Sequence, residues 1–162
     1  AFVHFGYCDC LDSFLGFGAF RLARELEFLP ESLISIFTRI LWEEARHIVF
    51  FVNWIAYERV QRGYGSALMQ AAATAIGYIR AVIDRILSGR RLPGNGGDAE
   101  PIGFPPVSLV QLLTAALREN EQLMIRFDER LLRPRVMPVI ARAIVDAVSA
   151  GQQVRGFAHR GG

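Results

Sequence analysis

Residues 30–62 read PESLISIFTRILWEEARHIVFFVNWIAYERVQR, and this stretch decides the fold. Its apolar residues recur at spacings of three and four, which is the pattern of one face of an α-helix. Pro30 suits the first turn of a helix, and Gly63 and Gly65 follow the last periodic residues, where helices commonly end. The stretch therefore predicts one long helix, with a buried face made by Ile34, Phe37, Leu41, Ile48, Phe51, Val52 and Ile55.

The same spacing on both sides of this stretch predicts an all-α chain. Four further helices are predicted over Tyr7–Glu27, Ser66–Leu87, Val107–Leu131 and Val139–Ala150. The segment Ser88–Pro106 is rich in glycine and proline, and it is predicted to be a long loop. We expect one domain over residues 1–150, an antiparallel four- to five-helix bundle, followed by a frayed tail over residues 151–162.

The composition excludes several classes of protein. Of the 162 residues, 52% are apolar and 21% are charged, and the mean hydropathy is +0.26, which excludes a disordered chain. The net charge of +2 requires no nucleic-acid partner, and we expect none. No apolar run reaches the roughly 20 residues of a membrane span. We therefore expect no transmembrane segment, and the apolar excess predicts a homo-oligomer or a subunit of a complex.

The two cysteines, Cys8 and Cys10, are one residue apart. That spacing suits neither an unstrained disulfide nor a zinc site, so we expect reduced thiols and a cytoplasmic protein. The sequence starts at Ala1 inside an apolar pattern, and we expect its N-terminal part to be missing.

The long helix contains a Glu-x-x-His motif, Glu44 and His47. At i and i+3 on a helix, a carboxylate and an imidazole can reach one metal ion, and this pair of donors suits iron, manganese or zinc. The alternative is that Glu44, on the apolar face, pairs with an arginine from another helix. Glu43 points elsewhere and is predicted to form surface ion pairs with Arg39 and Arg46.

A second carboxylate, Asp12, is expected beside this motif. If the first two helices form a hairpin that turns near Phe28 and Leu29, Asp12 lies opposite Glu44 and Ala45. A carboxylate opposite Glu-x-x-His is half of a carboxylate-bridged two-metal site. The alternative for Asp12 is an acidic residue near a helix N-terminus, where the helix dipole favours it.

Residues 43–51, EEARHIVFF, resemble the second-helix signature of the ferritin-like di-iron superfamily, and more narrowly the bacterial ferritin-like domain proteins. A later block is also similar, formed by Glu119-Asn120-Glu121, Asp128 and residues 131–134. The resemblance implies a helical bundle with an iron or manganese centre that activates oxygen or stores iron. It adds Glu119 to Glu44, His47 and Asp12 as a candidate metal ligand.

The chain also departs from that family. The family has two Glu-x-x-His motifs, whereas here Gln122 stands where the second histidine belongs, and Asn120 rather than Glu119 lies at the centre of the apolar face. One clear half-site remains. The missing ligands lie upstream of Ala1, or come from a second copy across a two-fold axis, or have been lost while the scaffold survives.

Two functions follow from these alternatives. The first is a di-iron oxidoreductase or hydroxylase that uses O2 on a small apolar substrate, in a pocket walled by Phe37, Phe51 and Trp54. The second is a non-catalytic helical scaffold or subunit that acts through a protein–protein interface.

Overall fold

The computed structural model describes residues 1–87, 107–133 and 135–158, with the backbone alone at residues 85, 86 and 152–158. It contains five helices: α1 (Phe2–Glu25), α2 (Glu31–Gln61), α3 (Ala67–Leu87), α4 (Leu109–Met124) and α5 (Val136–Ala158), with a short 3-10 turn at Asp128–Arg130. No strand occurs in these described ranges, so the all-α prediction is confirmed there. The predicted loop Ser88–Pro106 lies outside them.

Helix α1 is the central element of the fold. It packs against α2, α3 and α4, and most extensively against α4, while α5 packs on α4 and α3. Phe14 and Phe17 of α1 are almost wholly buried. Gly18 allows α4 to come close, since a Cβ at this position would collide with the carbonyl oxygen of Leu112 and with Ala116. Side chains of α1 therefore lie between those of three other helices.

Helices α1 and α2 form the predicted hairpin. The turn is closed by a hydrogen bond of 2.9 Å from the Phe28 N–H to the Ala23 carbonyl, and Glu27 adopts a positive φ of 50°, a conformation frequent where helices end. The two helices run antiparallel, because the Phe20 and Phe37 rings meet near the turn and the Phe2 and Trp54 rings meet at the far end.

Helix α4 ends at Met124, well before the predicted Leu131. The cause is Asn53 of α2, whose side chain binds the backbone of the segment that follows. Its Nδ2 donates to the Arg130 carbonyl and its Oδ1 accepts from the Leu132 N–H, both at 2.7 Å. The Leu132 N–H is a group that a continued helix would have paired internally, whereas the Arg130 carbonyl would have faced Pro134, which has no N–H.

Helices α1 and α5 are longer than predicted. Helix α1 begins at Phe2, and α5 begins at Val136, because Pro138 falls in its first turn, where a missing N–H costs nothing. Helix α5 also continues to Ala158, into the region predicted to be a frayed tail, of which residues 159–162 lie outside the described residues.

The outer faces of α2 and α3 carry many exposed apolar side chains. Leu41, Ile48, Phe51 and Ile55 of α2 are buried as predicted, whereas Phe37 is 38% exposed and Ile34 and Val52 are half-buried. The exposed apolar residues of α3 are Leu68, Met69, Ile76, Ile79, Val82, Ile83 and Leu87. None of the helices in the described ranges is long and apolar enough to cross a membrane.

Candidate metal centre

Three potential metal ligands meet where α1 crosses the middle of α2. Glu44 and His47 project from α2 and Asp9 projects from α1, and one ligand atom from each lies within 4.8 Å of the other two. This is the only such group of three found among the described histidines, cysteines and acids. Glu44 and His47 therefore lie next to each other on α2, as their i, i+3 spacing predicts.

Glu44 is held in place by two neighbours. Ser13 Oγ donates a hydrogen bond of 2.7 Å to Glu44 Oε2, and His47 Nδ1 lies 3.4 Å from the same oxygen. The Glu44 side chain is 32% exposed and that of His47 is 56% exposed, so one side of the cluster faces solvent. No arginine forms an ion pair with Glu44 in the part of the chain that is described.

Asp9 is the least satisfied member of the cluster. Its Oδ2 is buried and has no hydrogen-bond partner. Burial, and then the nearby Glu44 carboxylate, raise the pKa of Asp9, while His47 acts in the opposite direction. A buried carboxylate oxygen without a donor is costly, and a cation at this point would remove that cost.

A groove of about 480 Å³ runs from the cluster toward the α1–α2 turn. Polar groups line only the end near the cluster, where Asp9, Asp12, Ser13 and Glu44 lie. The remaining walls are apolar and come from Gly16, Ala19, Phe20, Ala23, Phe28, Leu29, Phe37, Ile40 and Leu41. Its volume lies within the range of small-molecule sites, and of the three residues predicted to wall a pocket only Phe37 lines this groove.

The other two predicted ligands lie elsewhere. Asp12 is exposed and borders the groove without joining the cluster. Glu119 is buried, and its Oε2 accepts from Arg21 Nη1 and Arg24 Nη2, each at 3.2 Å. Glu119 thus forms an ion pair with α1 and is not brought to Glu44.

Sequence reasoning missed Asp9 and Ser13. Asp9 and Ser13 stand four residues apart and share a face of α1, but the apolar pattern of α1 does not show that this face meets α2. Asp12 is exposed and lines the groove beside them. The surface pair of Glu43 with Arg46 is confirmed, with 2.8 Å between Oε1 and Nη1.

The donor set fits a divalent metal ion. Two carboxylates and one imidazole provide oxygen and nitrogen ligands of the kind that bind iron, manganese or zinc in proteins. Three protein ligands leave coordination positions free for water or substrate. Neither Cys8 nor Cys10 forms a disulfide, and neither belongs to the cluster.

No protein-family model, curated protein or solved structure matches this chain. The resemblance of residues 43–51 to ferritin-like proteins therefore stays a prediction.

Proposed function

We propose that this protein is a metal-dependent oxidoreductase in which Asp9, Glu44 and His47 bind one iron or manganese ion. The observation that carries the proposal is the meeting of their ligand atoms within 4.8 Å, together with the buried, unpartnered Oδ2 of Asp9. A metal ion that binds this oxygen offsets both the lost hydration of the Asp9 carboxylate and the repulsion between that carboxylate and Glu44.

The residues of the chain divide the work between them. Iron or manganese bound to such ligands supplies redox chemistry with O2. Ser13 orients the Glu44 carboxylate through its hydrogen bond, as outer-shell donors do at metal sites. The apolar walls of the groove bind a small apolar substrate next to the cluster and exclude water from it.

A two-metal, ferritin-like version of this site belongs to the same proposal. A two-metal site needs further carboxylates. Glu119 does not provide one, because two arginines hold it, whereas Asp12 borders the same groove as the cluster. We propose that a second copy of the chain provides the other half-site. His47, which is 56% exposed, lies on the open side that such a copy would approach.

Metal analysis of matched variants tests the proposal. Protein purified with iron or manganese supplied is expected to contain about one ion per chain, and Asp9→Asn, Glu44→Ala and His47→Ala are each expected to lose it. Glu43→Ala is the control, since Glu43 neighbours Glu44 in sequence but is 61% exposed in a surface ion pair. Metal that is absent from the parent, or retained by Glu44→Ala and His47→Ala, would overturn the proposal.

The second candidate is a non-catalytic scaffold or subunit, and the exposed apolar face of α3 favours it. Leu68 and Leu87 are 80% and 78% exposed, and exposed apolar side chains gathered on one helix are typical of a surface that another protein covers. If this is the function, the parent contains no metal, and Glu44→Leu raises the melting temperature because it removes a half-buried charge. A clean monomer at high concentration in sedimentation would contradict a role in assembly. Neither cysteine forms a disulfide, as is usual in a reducing compartment, and we propose a cytoplasmic location for either function.

A further inference from the structure

A second, more enclosed cavity lies at the other end of α2. It has a volume of about 240 Å³ and is bounded by α2, α3 and the start of α5. Its polar lining residues include Arg59, Gln70 and Arg133, and its apolar walls include Ile55, Ala71 and Val136. Arg59 follows Glu44 by fifteen residues, so the cavity is roughly 20 Å along α2 from the metal cluster. None of its lining residues belongs to that cluster.

Arg59 carries a positive charge, and no carboxylate among the described residues forms an ion pair with it. Its Nη2 donates to the Tyr7 hydroxyl at 3.0 Å and to the Ala73 carbonyl at 3.3 Å, and its guanidinium stacks on the Tyr64 ring. Its Nε is buried and has no acceptor, and within the described ranges the acids form their ion pairs with other residues. A half-buried cation in this state is unfavourable unless an anion approaches it.

Gln70 provides the complementary polar group. The residue is only 5% exposed, and its Nε2 donates to the Tyr64 carbonyl at 2.8 Å. Its Oε1 is buried without a donor. Two of the residues that line the cavity, Arg59 and Gln70, thus each carry a buried polar atom without a partner, and an unpaired buried atom of this kind costs free energy.

We propose that this cavity binds a small carboxylate that carries an O–H or N–H donor and a short apolar body. The carboxylate accepts from the Arg59 guanidinium, with Arg133 adding positive charge. Binding opens Gln70 Oε1, which is closed to water in this structure, to the ligand's own donor. Apolar walls exclude a strongly hydrated phosphate, and the volume is below that of most drug-sized sites. This site goes beyond the proposed function and does not depend on a metal.

Three matched ligands test the chemistry by titration calorimetry on the full chain. 2-Hydroxyisocaproate has the carboxylate, the hydroxyl and the apolar body, and we expect it to bind. Isocaproate lacks the hydroxyl, and 2-hydroxyisocaproamide lacks the charge, and we expect each to bind at least about tenfold more weakly because a buried partner is left unsatisfied. Absence of binding by 2-hydroxyisocaproate at millimolar concentration, or equal binding by the amide, would overturn the proposal.

Two pairs of variants test the location. Ala71 lines the cavity whereas its neighbour Ala72 does not, so Ala71→Leu is expected to abolish binding and Ala72→Leu to preserve it. Arg133→Gln is expected to weaken binding several-fold. Arg118 is exposed and lies outside the cavity, so Arg118→Gln is expected to leave binding unchanged. Unchanged binding by Ala71→Leu would refute this location. The metal content of Ala71→Leu should equal that of the parent, so failure here and failure of the metal proposal are distinguishable.

Discussion

The hydroxyl of Ser13 donates a hydrogen bond of 2.7 Å to Glu44 Oε2, across 31 residues of sequence. This bond joins the middle of α1 to the middle of α2 and fixes which residues of the hairpin face each other. It also orients the one carboxylate that has both Asp9 and His47 as neighbours. The geometry of the cluster therefore depends on a residue that would not itself bind metal.

Removing this hydroxyl should weaken metal binding more than it weakens the fold. Ser13→Ala frees the Glu44 carboxylate to rotate, and loss of an outer-shell hydrogen bond typically costs about tenfold or more in metal affinity. The fold should lose only about 1 kcal/mol of stability. The control is Ser35→Ala, because Ser35 is exposed and its hydroxyl donates to its own helix, at Ser32. Equal metal affinities of parent and Ser13→Ala would contradict this role.

Asp9 should lower the stability of the metal-free protein. Its carboxylate is partly buried beside Glu44, and both effects raise its pKa, so the ionised form is less stable in the folded protein than in water. Asp9→Asn is therefore expected to raise the melting temperature of metal-free protein by a few degrees while it abolishes metal binding. Asp146→Asn, at an exposed position of α5, should change neither property. A lower melting temperature for Asp9→Asn without metal would be the opposite result.

Two glycines of α1 should respond in opposite directions to the same substitution. A Cβ at Gly16 meets nothing within 4 Å, whereas one at Gly18 collides with the backbone of α4 at Leu112. Gly16→Ala should stabilise the protein by about 0.5–1 kcal/mol because alanine favours the helix. Gly18→Ala should destabilise it by about 1–3 kcal/mol because α4 must move away. Urea unfolding measures both, and equal effects would exclude the close approach of α1 and α4.

Alkaline pH should destabilise the fold through Cys10 and Tyr78. Burial raises the pKa of Cys10 to about 12, and burial followed by the neighbouring Cys10 raises that of Tyr78 well above its usual value. Above about pH 9 the unfolded chain releases protons that the folded chain retains, so stability falls as the pH rises. Urea midpoints at about pH 8 and about pH 10.5 measure this fall. Tyr78→Phe should reduce it, while Tyr57→Phe, at a 55% exposed position, should not.

The register of the α1–α2 hairpin was predictable from the sequence, because a turn near Phe28 and Leu29 fixes which residues are opposite. The structure places Ser13 against Glu44 and Phe20 against Phe37, as that turn requires. The rotation of α1 about its own axis was not predictable in the same way. Helix α1 is apolar on nearly every side, so its pattern does not show which side faces α2. The sequence therefore predicts Asp12 beside Glu44, whereas the structure brings Asp9 to Glu44 and His47.

The end of α4 depends on a contact distant in sequence. Nothing in residues 125–131 stops a helix as clearly as proline or glycine does, and the bonds that hold this segment come from Asn53. Likewise, Glu119 has the residue type of a metal ligand, but its ion pairs with Arg21 and Arg24 depend on how α4 lies on α1. Such pairings become visible only when the helices are assembled.

The central position of α1 has a consequence for biosynthesis. The ribosome makes α1 before α2 to α5, but the backbone that packs on Gly18, at Leu112, emerges only after more than ninety further residues. Contacts so distant in sequence slow folding, and until α4 arrives the nascent chain exposes the face of α1 that carries Gly18 to solvent and to other chains. Although it is made before the other described helices, α1 is thus among the last of them to be fully covered.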